Sequence, residues 1–317
     1  MGKDAAFLVR AFPKIVSRSM WFLMLVALSA SAESAEQKIR GEMLVTTGWL
    51  EAHLNDRDLI VLCIAEDNAF YSGGHIPGAR LIRLEEIAIT RAGIPNELPT
   101  VGQLQRVFQR VGIDNLSHIV LYGERSGVLA ARAYFTLDYL GLADHAALLD
   151  GGLEKWRAER RRESAEVPAV RGSNLQVRAH PEIVADLAAV EGYSRAAPAL
   201  GGAVLMDGRP EPEFTGEKRS EDVKEIGHIP NAVSLYWTRT LQSPDIPTLR
   251  PPEELRQLFL AAGASPGKQV ITYCRTGMQS SFDYFVAKYL GYSARMYDGS
   301  FYEWSLAARP AERDDKR

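Results

Sequence analysis

Cysteine is nearly absent from this chain: Cys63 and Cys274 are the only two in 317 residues. Together with six histidines they show no metal-ligand spacing, so no metal is expected. An excess of basic charge is also missing. The net charge is −3 and the pI about 6.1, which excludes a global basic field for nucleic acid or acidic membranes. The local group Arg157, Arg160, Arg161, Arg162 and Arg171 reads as a solvated helix end and linker rather than a polyanion site. Long apolar runs are lacking too; "MWFLMLVALSA" at 20–30 falls short of the roughly 20 residues a transmembrane helix needs. What is present is ordinary for a globular protein: 46% hydrophobic and 24% charged residues, over a length suited to about two domains.

That short apolar run follows Lys3, Arg10, Lys14 and Arg18, and "ASA" at 30–32 follows it. A basic region, an apolar core and a small-residue site together describe a secretory signal peptide over residues 1–32, cleaved near Ala32. The expectation is an exported protein of the bacterial periplasm; an uncleaved anchor is the alternative. Export would place the two cysteines where disulfides form. Cys63, inside the apolar run "DLIVLCIAED", reads as a small buried hydrophobe. A Cys63–Cys274 bridge stays open at this level and would consume the one candidate nucleophile.

The chain repeats itself. "GGHIPGARLIRL" at 73–84 returns as "IGHIPNAVSLYW" at 226–237, and "DGGLEKW" at 150–156 returns as "DGSFYEW" at 298–304. Between these landmarks "HIVLYGERSGVLAARAYFTLDYLGL" at 118–142 matches "QVITYCRTGMQSSFDYFVAKYLGY" at 269–292. Two tandem domains follow, over 41–162 and 179–309, with a polar linker at 163–178. Each copy alternates short apolar strand-like runs with amphipathic helical runs. The fold expected is α/β: two tandem domains, each a parallel sheet flanked by helices on both faces. In such folds ligands bind beyond the carboxyl ends of the strands, which is where Cys274 lies.

The tandem repeat, both "GHIP" signatures and "CRTGMQ" before a helix resemble the rhodanese family of sulfurtransferases, over about residues 44–307. The resemblance implies sulfane-sulfur transfer by a single nucleophile in the second domain, with no cofactor. It implies a small sulfur donor (thiosulfate), a thiophilic acceptor such as cyanide or a thiol, and a monomer. The first copy agrees, since its "YGERSGVLAA" places Gly123 where the second has Cys274, in a loop one residue longer. The candidate catalytic residue is Cys274. Candidate substrate contacts are Arg275, Thr276, Gly277, Met278 and Gln279. Trp237 resembles the family's donor-pocket aromatic, with a core tryptophan as the other reading, and Arg239 is a second candidate anion contact. Asp207, Arg209 and Ser280 are expected to support the site, the serines at 280 and 281 as helix caps. His75 and His228 read as turn histidines.

The chemistry can be argued from the residues. The thiolate is the reactive form. A loop curling its N–H groups around the sulfur, the positive end of the following helix and the neighbouring Arg275 all favour an anion. No general base is then required, because sulfite leaves thiosulfate without a proton. Departures narrow the donor. Glu213 stands where some relatives carry a second substrate-binding arginine, and Thr276 where some thiosulfate-specific members carry lysine. Arg–Thr–Gly follows the cysteine where mercaptopyruvate enzymes tend to have Gly–Ser–Gly, so thiosulfate is the preferred donor. A phosphatase would need C-x5-R, but the sixth residue after Cys274 is Ser280. A persulfide carrier without turnover is the rival from another class.

Overall fold

The structure, a computed structural model, describes residues 37–195, 202–220 and 222–314. The signal sequence expected at 1–32 lies outside the described residues. Domain 1 holds strands β1 (Leu44–Val45), β2 (Leu59–Ala65), β3 (Arg80–Arg83), β6 (His118–Gly123) and β7 (Ala146–Leu149) in one parallel sheet, order β1-β7-β6-β2-β3. It adds an antiparallel hairpin of β4 (Ile89–Arg91) and β5 (Ile94–Glu97). Domain 2 holds β8 (Val184–Ala185), β9 (Ala203–Asp207), β10 (Val233–Ser234), β11 (Gln269–Tyr273) and β12 (Ala294–Tyr297). Its order, β10-β9-β11-β12-β8, repeats the domain 1 sheet strand for strand. The central strands are apolar on both sides because helices cover both faces of each sheet.

Alternation along the strands distributes the core. Val61 and Cys63 of β2 face an outer core with Tyr71, Tyr122 and Trp156, while Ile60, Leu62 and Ile64 face the other side. Ile271 and Tyr273 of β11 face the equivalent outer core of domain 2, with Phe301 and Trp304. The remaining faces merge into one cluster that spans both domains. Its centre is the contact between the equivalent helices Val128–Tyr139 and Gln279–Tyr289. Tyr134 meets Phe285 edge-on at 5.0 Å between ring centroids, and Phe135 meets Tyr284 at 5.1 Å. Tyr284 donates to Asp138 Oδ2 at 2.7 Å, and Lys288 pairs with the same carboxylate at 2.9 Å. Both helices are therefore buried nearly all round rather than on one stripe, which their even apolar content allows.

The repeated signatures turn out to be repeated joints. His75 stacks on Tyr71 at 3.8 Å and lies 3.0 Å from the Tyr71 carbonyl oxygen; His228 stacks on Phe214 at 3.8 Å and lies 2.9 Å from the Phe214 carbonyl oxygen. Trp156 donates to the Arg162 carbonyl and Trp304 to the Pro310 carbonyl, each at 2.9 Å. These turns fasten the end of each domain back onto its own sheet. Segment 163–178 carries no helix or ladder strand; Leu175 is buried in domain 1 and its carbonyl accepts from Gln105 at 2.8 Å. Within the arginine-rich segment Arg157 pairs with Glu163, and Arg161 with Glu51 and Glu159.

Candidate active site

Strand β11 delivers Cys274 to its carboxyl end, and residues 274–278 turn the chain into the helix Gln279–Tyr289. Gly277 makes the turn at φ +81°, a region that disfavours any side chain. Its missing Cβ would also lie 2.7 Å from the Asp298 carbonyl oxygen, so glycine is required twice over. The loop is stitched to the turn after β12. Cys274 N–H donates to Ser300 Oγ at 3.2 Å, Phe301 N–H to the Cys274 carbonyl at 3.0 Å, and Tyr302 N–H to the Arg275 carbonyl at 2.9 Å. The amides of Thr276, Gly277 and Met278 meet no acceptor among the described residues.

Cys274 is only 1% exposed and forms part of the wall of a cleft of about 390 Å³. Arg275, Thr276, Met278 and Gln279 line the same cleft, joined by Glu213, Asp222 and Tyr302 from domain 2. Domain 1 closes the other side with Leu84, Pro95, Asn96 and Arg125. A larger cleft of about 960 Å³ lies at the opposite ends of β2, β6 and β7 and contains no thiol. Four of the five expected loop contacts thus share the cleft wall with one sulfur; Gly277 makes the turn and is not part of that wall. Cys63 is also free, so no bridge consumes Cys274. Burial pushes the Cys63 thiol up to about 12, which leaves it an inert core group.

Two candidate contacts lie outside that wall, and one expectation is overturned. Trp237 is in the core, tilted against Phe282 at 5.3 Å, rather than in the wall of the cleft. Arg239 is not in that wall either; its carbonyl accepts from Arg250 at 2.7 Å. Both stand on the short 3-10 turn Trp237–Thr240, nine residues and more after His228, which packs through Trp237 against Phe282 of the helix Gln279–Tyr289. The serines do not cap that helix: Met278 holds the cap position without a side-chain bond. Ser281 Oγ instead donates back to the Gly277 carbonyl at 2.7 Å, and the Ser280 carbonyl accepts from Thr272 Oγ1 at 3.0 Å.

Asp207 and Arg209 support the site from behind. Arg209 Nη2 lies 2.5 Å from Asp207 Oδ2, donates to the Gly227 carbonyl at 2.8 Å and sits 4.1 Å over the Phe301 ring. The pair is fully buried and ties β9 to the turn carrying His228 and to the helix beginning at Ser300. Gly208 between them makes room for Asp283, whose Oδ2 would lie 2.2 Å from a Cβ there. Burial, then the charge of Asp207, raises the Asp283 carboxyl well above the usual carboxylate range.

Sequence reasoning missed the residues that domain 1 brings to the loop. Asn96 Nδ2 donates to Thr276 Oγ1 at 3.0 Å, and Leu98 N–H to Asp298 Oδ2 at 2.9 Å. Arg132 forms a buried ion pair with Asp298 and donates to the Asn96 carbonyl at 2.6 Å. Asp298 and Ser300 stand inside the repeated "DG" signature, read only as a landmark of the repeat; Asn96 lies in a hairpin whose counterpart in domain 2 is only the isolated bridge Leu241–Leu249, and carried no signal. Among the described residues no group of three His, Cys, Asp or Glu gathers to hold a metal ion.

The arrangement defines a two-domain α/β protein whose one cleft thiol stands at a strand's carboxyl end, before a helix. The rhodanese-like domain model matches residues 46–159 and 194–307. The chain therefore belongs to the rhodanese-like family of sulfurtransferases, with two such domains in tandem. It is 33% identical over 276 residues to the sulfur carrier protein TtuD of Thermus thermophilus, covering 83% of this chain and 93% of that one. A probable 3-mercaptopyruvate sulfurtransferase of Pseudomonas aeruginosa is 33% identical over 82% of this chain and 94% of its own. Among solved structures, the anaerobic ergothioneine biosynthesis enzyme from Chlorobium limicola shares the fold, with TM-score 0.75 at 22% identity, over 86% of this chain and 70% of that one.

Proposed function

We propose that this protein is a thiosulfate sulfurtransferase working through a persulfide on Cys274. The observation that carries the reading is the thiol itself: buried at the carboxyl end of β11, open to one cleft, and followed by the amides of Thr276, Gly277 and Met278, which meet no acceptor among the described residues. The Cys274 thiolate attacks the outer sulfur of thiosulfate; the S–S bond breaks and its electron pair leaves with sulfite. The enzyme is left as Cys274–S–S⁻. A thiophilic acceptor such as cyanide then attacks the terminal sulfur, takes it as thiocyanate and returns the thiolate. Neither half needs a proton, which fits a site without a histidine in the cleft wall. Loop amides, the positive helix end and Arg275 favour both anionic forms. The apolar stretch at the N-terminus supports export, with the acceptor met outside the cytoplasm.

Steady-state kinetics with thiosulfate and with 3-mercaptopyruvate, each against cyanide, tests the reading. The proposal expects parallel double-reciprocal lines and a kcat/KM for thiosulfate at least about tenfold higher. A preference for 3-mercaptopyruvate would move the assignment to that donor. One stoichiometric sulfur loading without turnover would make the protein a carrier.

A further inference from the structure

Domain 1 has no thiol in its own loop, yet it places a charge beneath the loop of domain 2. Arg132 is 0% exposed on the helix Val128–Tyr139, and Asp298, 3% exposed, follows β12. The guanidinium binds both carboxylate oxygens, Oδ1 through Nη1 and Oδ2 through Nη2 at 3.3 Å. Asp298 in turn is the surface on which Gly277 turns: a Cβ on Gly277 would lie 2.9 Å from Asp298 Oδ1 and 3.5 Å from Arg132 Nη1. The loop, the carboxylate and the guanidinium are therefore stacked in direct contact across the domain boundary. Other charged or titratable groups around the pair are Arg91 and Glu97 of the β4–β5 hairpin, Tyr297 of β12 and Glu303 of the helix Ser300–Leu306.

We propose that Arg132 is a positioning residue for Cys274: through Asp298 it fixes the floor of the catalytic loop and cancels the negative charge of that floor. The inference rests on Cys274 being the nucleophile of the proposed reaction. Two consequences follow from the contact. Without the guanidinium the loop loses its fixed seat, and misplacement of a reacting group by about 1 Å can cost about a hundredfold in rate. The bare Asp298 carboxylate would then also oppose the thiolate, whereas removing that carboxylate leaves a buried cation that favours it.

The test uses the full chain with Arg132→Met, Arg132→Lys, Asp298→Asn and the double variant Arg132→Met with Asp298→Asn. Turnover of thiosulfate with cyanide and the pH profile of iodoacetamide alkylation, mapped to Cys274 by peptide mass, are read on each. The double variant removes both buried charges and serves as the folded control if a single variant is too unstable. Arg132→Met is expected to lower kcat by about 10- to 100-fold with KM for thiosulfate within about twofold, and Arg132→Lys to recover most of that loss. The alkylation profile is expected to move to higher pH in Arg132→Met, to lower pH in Asp298→Asn, and back toward wild type in the double variant. A wild-type kcat and profile in folded Arg132→Met overturns the proposal, as does displacement of both single variants in one direction. Alkylation needs no sulfur donor, so a chain inactive on thiosulfate that still shows the opposed displacements would sink the reaction and keep the loop assignment.

Discussion

The two copies of the strand-to-helix loop begin alike and then diverge. Tyr122 of β6 and Tyr273 of β11 are equivalent, and their hydroxyls accept from equivalent amides, Ile76 at 3.3 Å and Ile229 at 3.2 Å. One residue later, domain 2 has Cys274 on its cleft and domain 1 has Gly123, whose missing Cβ would lie 2.5 Å from the Ile64 carbonyl oxygen. Domain 1 then runs through three left-handed residues, Arg125, Ser126 and Gly127, at φ +57°, +53° and +88°; domain 2 turns on Gly277 alone. The comparison shows more than a lost side chain. The first loop has closed over the space a thiol would need, and its Arg125 now lines the cleft of the other domain. Domain 1 has no thiol in its loop and instead supplies part of the wall of the cleft beside Cys274.

The largest effect that would break this comparison comes from removing the one thiol. Cys274→Ser is expected to lower sulfur transfer from thiosulfate by about three orders of magnitude or more with an unchanged unfolding temperature. Residual turnover near wild type would place the chemistry elsewhere. The converse experiment sharpens it: Gly123→Cys is expected to cost about 2 kcal/mol by denaturant unfolding, from collision with Ile64, and to add no second persulfide. Sulfur found on residue 123 would mean the first loop is still a working cradle.

A smaller effect sits at the boundary between the domains. Burial, then Asp298 and Glu303, push the Glu97 carboxyl up to about 7, against an unfolded value near 4.5. A raised carboxyl means the folded state holds the proton more tightly, so this group's contribution is most favourable below about pH 4.5 and is lost as pH rises through about 7. Glu97→Gln is therefore expected to stabilise the chain at pH 8 by about 1 kcal/mol, a figure discounted for the partial exposure of the group. The gain should vanish at pH 4, as thermal unfolding at the two pH values would report. The smallest effect belongs to Cys63→Ser, which should leave kcat within about twofold, since Cys63 lies in the outer core and is not part of the cleft wall.

Much of this was legible in the chain itself. The doubled "GHIP" and "DG…W" signatures identified the repeat because each marks a physical joint, a histidine stacked in a turn and a tryptophan bonded to a later carbonyl. "CRTGMQ" marked the candidate nucleophile, which the structure places in a cleft wall, because a thiol before a glycine turn and a helix is locally specified. Spacing along the chain left Trp237 open between cleft and core and Arg239 only a candidate, because it does not say which way a short turn faces. Ser280 and Ser281 were misread as caps because the helix begins one residue inside an already bonded loop. Asn96, Arg125 and Arg132 were illegible because they act across a domain boundary, and no local pattern encodes a contact made 166 residues away, as Arg132 makes with Asp298.

The central claim is that Cys274 carries the sulfur between donor and acceptor. It is tested most directly by peptide mass measurement after thiosulfate treatment, before and after cyanide. The account predicts one added sulfur on the peptide containing Cys274, absent from the peptide containing Cys63, and removed by cyanide. An unmodified Cys274 under conditions of active turnover, or sulfur that cyanide does not remove, would contradict it.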